Sequence, residues 1–262
     1  MFTKKRYPLI NLQTKEQTMR HRHCLATAFL CTLISLFALF ASAAIAADIP
    51  VISTEELKKK MDAKETLVLA DALSSIEHKE KAIQGSINIP SSKVKGNSNL
   101  PADKNALLVF YCLGPKCGKS KMAAKVAQAL GYNNVMIYDD GLPAWMQKGY
   151  PVTKAANYPN IELARLTPQQ LNDMAKSVTI LDIRDAKHKE SGRLAGAIEI
   201  DMDDLEEKHS TIPRNKKVVV IDHAAKQVVV AAKFLSMNGF KDLAALDGGM
   251  MAWVAAGLPV NK

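Results

Sequence analysis

The sequence predicts an α/β protein built from two tandem domains, each a parallel sheet flanked by helices. Three observations carry that expectation. Short, continuous apolar runs suited to buried strands alternate with longer stretches suited to helices, the pattern of parallel sheets with helices on both faces. The same order of segments is written twice between Ile52 and Val260, an internal repeat at domain scale. The spacing repeats as well, since Asp71 to Gly85 and Asp182 to Gly196 are each 14 residues.

The composition allows such a fold. The chain is 48% hydrophobic and 23% charged with 13 Gly and 11 Pro, which excludes collagen-like, low-complexity and mostly disordered chains. Four Cys in 262 residues are too sparse for a disulfide scaffold, and none is spaced as in a zinc site, so no metal and no cofactor is called for. The net charge of +9 invites a nucleic-acid reading, but its placement argues otherwise. Lys4, Lys5, Arg6, Lys15, Arg20 and Arg22 precede Ala47 with only Glu16 opposing them, and the remainder holds 29 basic against 25 acidic residues. A mildly basic remainder removes nucleic acid as an expected partner.

No charged residue lies between Cys24 and Ala47, and this run ends Ala44-Ile45-Ala46. A basic start, an apolar run and a small-x-small site predict a signal peptide over 1–46, leaving 216 residues, with Met19 an alternative start ahead of Arg20 and Arg22. The competing reading is an uncleaved membrane anchor, because the run is long enough to span a bilayer. Neither Cys24 nor Cys31 sits in a lipoprotein-like signal. The expectation is an exported protein, bacterial periplasmic, that meets a membrane only if the segment is retained.

The first domain is expected over 50–153. Ser53 is placed to cap a helix, with Glu56 three residues on, as in a capping box. Leu67–Asp71 reads as a strand, then Gln84-Gly85-Ser86-Ile87, then the continuous apolar strand Leu107–Tyr111. A loop leads to a helix over 120–130, stopped by Gly131 in a left-handed position, and to the strand Val135–Tyr138. The segment 154–162 reads as a linker. The second domain, 163–262, repeats each step: Thr167 with Gln170 as cap and Pro168 at the first helical position, a strand over 178–182, and Ala195-Gly196-Ala197-Ile198. The strand Val218–Ile221, a helix over 228–238 stopped by Gly239, and the strand Leu243–Leu246 complete it.

These residues resemble a tandem rhodanese (sulfurtransferase) protein. The first copy carries Tyr111-Cys112, a loop, Ser120-Lys121-Met122-Ala123-Ala124, Leu130-Gly131-Tyr132 and Gly141 to Trp145 in that family's order. The second carries Leu181-Asp182-Ile183-Arg184, Gly192-Arg193-Leu194-Ala195-Gly196-Ala197, and Gly248-Gly249 to Trp253. The resemblance implies that Cys112 is the nucleophile. It would take a sulfane sulfur from a donor such as thiosulfate, become a persulfide and pass the sulfur to a thiophilic acceptor. The implied partners are a small anionic sulfur donor and a thiol, cyanide or protein acceptor. Asp222 holds the corresponding place in the second copy, where a carboxylate cannot form a persulfide, so that copy is expected to be silent.

The chemistry needs a thiolate at neutral pH and a cradle for anionic sulfur. The loop Cys112-Leu113-Gly114-Pro115-Lys116-Cys117-Gly118-Lys119-Ser120 runs into a helix, whose N–H groups and positive end suit an anion. Gly114 and Gly118 permit the tight backbone. Lys116 and Lys119 either face an anionic donor or are solvated loop charges, and Ser120 closes the candidate binding set. Phosphatases related to this family place an Arg six residues after the Cys; Gly118 stands there, which disfavours phosphatase activity. Cys117 is either a resolving thiol that attacks an oxidised or persulfidated Cys112 or a residue that packs beside the loop. A non-enzymatic redox or persulfide-sensing module using Cys112 and Cys117 is the competing class of function.

Asp71 and Asp182 are expected to hold the sheet edge through local hydrogen bonds, and Trp145 and Trp253 to fill the core. His78, His188, His209 and His223 show no ligand spacing. The run Asp201, Asp203, Asp204, Glu206 and Glu207 reads as a solvated loop or helix start rather than a calcium loop.

Overall fold

The computed structural model describes residues 48–155 and 158–261; the segment read as a signal peptide and residues 156–157 of the linker lie outside them. Chain geometry begins with helix α1 (Thr54–Asp62), capped by the Ser53 hydroxyl accepting from the Glu56 N–H at 3.2 Å. Glu55 and Glu56 sit in its first turn and Lys59 and Lys60 in its last, which complements the helix dipole. Then follow β1 (Leu67–Asp71), α2 (Ser75–Glu80), β2 (Ala82–Ile83), β3 (Ile87–Asn88), β4 (Leu107–Tyr111), α3 (Lys119–Ala129), β5 (Val135–Tyr138), α4 (Gly141–Gln147) and β6 (Val152–Thr153). The second half gives β7 (Ala164–Leu166), α5 (Pro168–Met174), β8 (Thr179–Asp182), α6 (Ala186–Lys189) and β9 (Ile198–Glu199). It continues with α7 (Leu205–Lys208), β10 (Val218–Ile221), α8 (Val228–Met237), β11 (Leu243–Leu246) and α9 (Gly249–Ala255).

Both halves form the expected parallel sheets. The first is ordered β3-β1-β4-β5 and extended past β5 by a parallel bridge from Val51 to Ile137; the second is ordered β7-β11-β10-β8-β9. These are the same arrangement, with strand β7 standing where the first half has the single Val51 bridge. A small antiparallel pair, β2 with β6, lies outside the main sheets.

Strand alternation divides each core in two. Leu108 and Phe110 of β4 face the Ala123, Ala124 and Ala127 side of α3, while Val109 and Tyr111 pack with Ile52, Leu57, Leu142 and Trp145. In the second half Val218 and Val220 pack with Ala231, Phe234 and Leu235 of α8, and Val219 and Ile221 with Leu171, Met250 and Trp253. Both tryptophans are buried, and each donates its indole N–H to a carbonyl six residues on, Pro151 and Pro259. Gly131 and Gly239 end α3 and α8 at φ of +87° and +86°.

Residues 49–262 form one contact unit that includes both sheets. The join is partly apolar: Ile76 of α2, fully buried, belongs to the core cluster of the second half. Polar contacts surround it, including Gln227 to Glu77 at 2.9 Å, Lys233 to Glu80 at 2.6 Å and the Tyr158 hydroxyl to the Ile76 carbonyl at 2.9 Å. Among the described residues no helix is long and apolar enough to cross a membrane.

Candidate active site

The register brings the site to the carboxyl end of the first sheet. Asp71 pairs with Tyr111 at the ends of β1 and β4, so Cys112 is the first residue past the central strand and 1% exposed. Its carbonyl accepts from the Leu142 N–H at 2.9 Å, which holds the start of α4 against the loop. That approach needs glycine: Gly141 has φ +70°, and a Cβ there would stand 2.4 Å from the Cys112 carbonyl oxygen and 2.5 Å from the Gly114 nitrogen. Gly114 and Gly118 take φ of +105° and +75°, and Gly118 precedes α3.

The Cys112 Sγ lies 3.5 Å from the Ser120 Oγ and 3.8 Å from the Gly114 carbonyl oxygen. The neighbouring Cys117 thiol is the largest influence on its ionisation. Burial opposes ionisation, but that thiol, the Ser120 hydroxyl and the Ser120 and Gly114 backbone together pull Cys112 down to about 6. Cys117 is pushed up for the complementary reason, since its proton is held toward Cys112 and it too is desolvated. Both are free thiols.

The lysines of the loop separate. Lys116 is exposed. Lys119 directs its ammonium to Asp203 of the second half at 2.8 Å, with Asp203 also accepting from the Ser92 hydroxyl at 2.6 Å. Burial works against the Lys119 charge, but Asp203, Glu77 and Asp201 outweigh it and hold its pKa above the ordinary value. Lys119 is therefore not a solvated loop charge: a nearly buried ammonium is stable when paired, and its partner is across the join.

The acidic run is the helix start that the sequence offered as one of two readings, with Glu206 and Glu207 in the first turn of α7. It is not a solvated loop: Asp203 and Leu205 are buried, Asp204 and Glu207 take Lys93 at 3.2 and 2.8 Å, and Glu206 takes Lys79 and Ser75. Five residues of the first half thus grip one turn of the second. Sequence reading missed this because the partners stand more than 80 residues away, with no local signal to mark them.

Asp71 is buried and bonds locally, accepting from the Leu73 N–H and meeting His78 Nδ1, both at 3.0 Å. Asp182 is gripped by Arg184, whose Nη2 and Nε donate to it at 2.6 and 2.9 Å. At the position matching Cys112, Asp222 accepts from the Ala225 N–H and, at 2.6 Å, from the Gln227 N–H. Its own carboxylate fills the cradle of the second loop, which turns at Ala225 with φ +57°. Gly249 repeats Gly141: its Cβ would stand 2.7 Å from the Asp222 carbonyl oxygen. His223 packs on His188 with ring centroids 4.5 Å apart, its Nδ1 buried without a partner among the described residues. Among the described residues no group of three or more His, Cys, Asp or Glu is arranged to hold a metal.

Comparison with known proteins follows the same duplication. The family model for the rhodanese-like domain matches twice, at residues 53–148 and 167–256. The chain is 34% identical over 90 residues to the thiosulfate sulfurtransferase GlpE of Shewanella oneidensis, covering 34% of this chain and 89% of that protein. It is 32% identical over 82 residues to a putative sulfurtransferase, YtwF, of Bacillus subtilis, covering 31% of this chain and 79% of that one. A putative sulfur carrier protein of the same organism, YrkF, matches at 26% identity over 99 residues, and the chain spans about half of its length, 52%. Among solved structures, a rhodanese-related protein of Thermoplasma volcanium aligns at 30% identity and a TM-score of 0.36, over 37% of this chain and 97% of that one.

Proposed function

The protein belongs to the rhodanese-like domain family, in two copies, and from that premise we propose that it is a sulfurtransferase whose first domain carries sulfur on Cys112 while its second domain is catalytically silent. The observation that carries the reading is the buried Cys112 thiol at the end of β4, its pKa pulled down to about 6 by Cys117, Ser120 and the loop backbone. A thiolate there at neutral pH attacks the outer sulfur of thiosulfate or a related donor. The S–S bond of the donor breaks, sulfite leaves with the electron pair, and the outer sulfur stays on Cys112 as a persulfide. The loop N–H groups and the Ser120 hydroxyl stabilise the anionic sulfur, and the exposed Lys116 meets the incoming anion. A thiophilic acceptor then takes that sulfur and returns Cys112 as thiolate.

Asp222 supports silence in the second domain, since its carboxylate takes the loop amides that a sulfur anion would need. Export through the segment 1–46 is part of the proposal, and sequencing the amino terminus of the protein recovered from cells checks it. A second reading, a redox or persulfide-sensing module, draws support from the free Cys117 thiol that shares the loop with Cys112 and influences its ionisation.

The test is intact mass after thiosulfate, before and after cyanide, for wild type and Cys112→Ser. A gain of one sulfur on wild type alone, lost to cyanide as thiocyanate, is the expected result. No gain from a fully reduced protein would overturn the sulfurtransferase reading and favour the sensor.

A further inference from the structure

The two copies can be compared with each other at the amino-terminal edge of their sheets, the end opposite Cys112 and Asp222. The Leu108 N–H donates to the Asn134 carbonyl and the Val218 N–H to the Asp242 carbonyl, both at 2.9 Å, which sets the two edges in register. Each edge keeps a cation over an aromatic ring: Lys104 stands 3.6 Å from the Tyr132 ring centre and Arg214 4.6 Å from that of Phe240. Around that shared pair the copies diverge. Ala106, Leu107 and Asn133 of the first copy are matched by Lys216, Lys217 and Lys241 in the second, and Asp103 by Pro213. Only Asp242, in the place of Asn134, adds an acid.

In the second copy Arg214, Lys216, Lys217, Lys241 and Asp242 line a cavity of about 390 Å³. Asp242 takes Lys217 at 3.1 Å, and Lys216 donates to the Lys176 carbonyl at 3.3 Å. Among the described residues Arg214, Lys216 and Lys241 have no acidic side-chain partner. A helix end attracts cations, but these are not needed to close α8. Its last carbonyls are served within the chain: Phe234 accepts from the Asn238 side-chain amide at 2.8 Å, Leu235 from the Phe240 N–H and Ser236 from the Gly239 N–H, both at 3.1 Å. Helix α3 ends the same way at Gly131, in a copy where the three matching positions hold no cation. Cations that line one cavity repel one another, and a bound anion relieves that repulsion.

We propose that this cavity is an anion-binding site, and that its ligand is a compact phosphate compound carrying two or more negative charges, of which diphosphate is the simplest. The Arg214 fork suits two phosphate oxygens at once, while Lys216 and Lys241 add charge without fixed geometry. An organic body would gain little here, since Phe240 lies buried beneath Arg214 and Val218 is buried in the sheet. The volume falls in the range of about 300–1,000 Å³ typical of small-molecule sites. The site stands at the far end of β10 from Asp222, so the second copy, silent at the Cys112 position, holds a ligand of its own. The inference does not depend on Cys112 as sulfur carrier.

Calorimetric titration of the whole chain at constant ionic strength tests this with orthophosphate, diphosphate, tripolyphosphate and sulfate. One equivalent should bind, more tightly at each step from orthophosphate to tripolyphosphate. Giving the second edge the residues of the first, Lys216→Ala with Lys217→Leu and Lys241→Asn, should weaken diphosphate by about tenfold or more. Lys64→Asn, Lys125→Asn and Lys154→Asn together remove the same charge from exposed positions elsewhere and should leave its affinity within about twofold. Arg214→Lys keeps the charge and loses the fork; it should cost about threefold, and it keeps the test valid if the triple exchange folds poorly. Vesicles of phosphatidylcholine and phosphatidylglycerol in equal parts separate a free compound from a lipid headgroup. Vesicle binding that diphosphate displaces and the triple exchange abolishes would uphold the pocket and assign it to lipid phosphate. Sulfate binding as tightly as diphosphate, equal weakening in the two triple variants, or no saturable binding would overturn the site.

Discussion

A thiol as deeply buried as Cys112 would ordinarily lose its proton late, because a desolvated thiolate is costly. Its donors reverse that order, with Cys117 first among them. The sign of the pH effect follows: a depressed thiolate pKa means the nucleophile is present above about pH 6 and is lost as pH falls through that value. Alkylation of Cys112 by iodoacetamide should therefore rise with a midpoint near pH 6. Cys117→Ala removes the leading donor and should move the midpoint up toward the ordinary thiol value of about 8.5. Cys117→Ser keeps an O–H donor and should move it less. Equal midpoints in wild type and Cys117→Ala, read by mass spectrometry of the modified peptide, would remove Cys117 from this role. At this scale the sequence was partly legible. The place of Cys112 at a strand end, with a glycine-bearing loop and a helix to follow, could be read directly, and so could its spacing from Cys117. The fate of the Lys119 charge could not, since Asp203 lies 84 residues further on.

At the scale of elements, the site depends on how closely α4 approaches the loop after β4. Gly131 and Gly141 make this testable because both have positive φ, +87° and +70°, but differ in surroundings. A Cβ on Gly131 meets nothing within 4 Å, whereas one on Gly141 meets the Cys112 carbonyl at 2.4 Å. Alanine at either place carries a backbone cost of about 1–2 kcal/mol for the left-handed conformation. Gly141→Ala adds a clash with main chain, which only movement of α4 or the loop can relieve. Both variants should melt below wild type, but only Gly141→Ala should slow sulfur loading on Cys112, by about tenfold or more, as expected for a misplacement near 1 Å at a reacting centre. Loading that falls equally in both would deny the approach of α4 any special part. The strands that build this edge were legible to the residue: Leu67–Asp71, Leu107–Tyr111 and Val135–Tyr138 are continuous apolar runs with both faces buried. Helix ends shifted by one residue, with α3 starting at Lys119 and ending at Ala129. The pair β2 with β6 escaped notice because two-residue strands have no periodicity to read, and β7 because its Arg165 is exposed.

At the scale of the whole molecule, the two copies could be read from the repeat, but the face that joins them could not. Ile76 looks like any apolar residue on a short helix, and the acidic run like any solvated turn; only the fold places them across from the second core and from Lys79, Lys93 and Lys119. The join should therefore fail in two distinguishable ways. Ile76→Ala leaves a cavity in the second domain's core and should cost about 2–5 kcal/mol, seen as a lower melting temperature at every pH. Acid should act on the ionic part. Asp204 lies below the ordinary carboxylate range through its bond to Lys208, helped by Lys93, and Glu206 through Lys79 and Ser75 against the opposing effect of burial. Their contribution is present above the unfolded carboxylate values near 4 and is lost as pH falls through their lower folded values. Asp201, raised by burial, works in the opposite direction and blunts the loss. Hydrogen exchange across α2 and α7 should accordingly speed up below about pH 4 while the central strands β4 and β10 stay protected. Because both sheets keep their own buried cores, acid is expected to open the join before it unfolds either half. Simultaneous loss of protection in α2, α7 and the central strands would mean that the two domains stand or fall as a single cooperative unit.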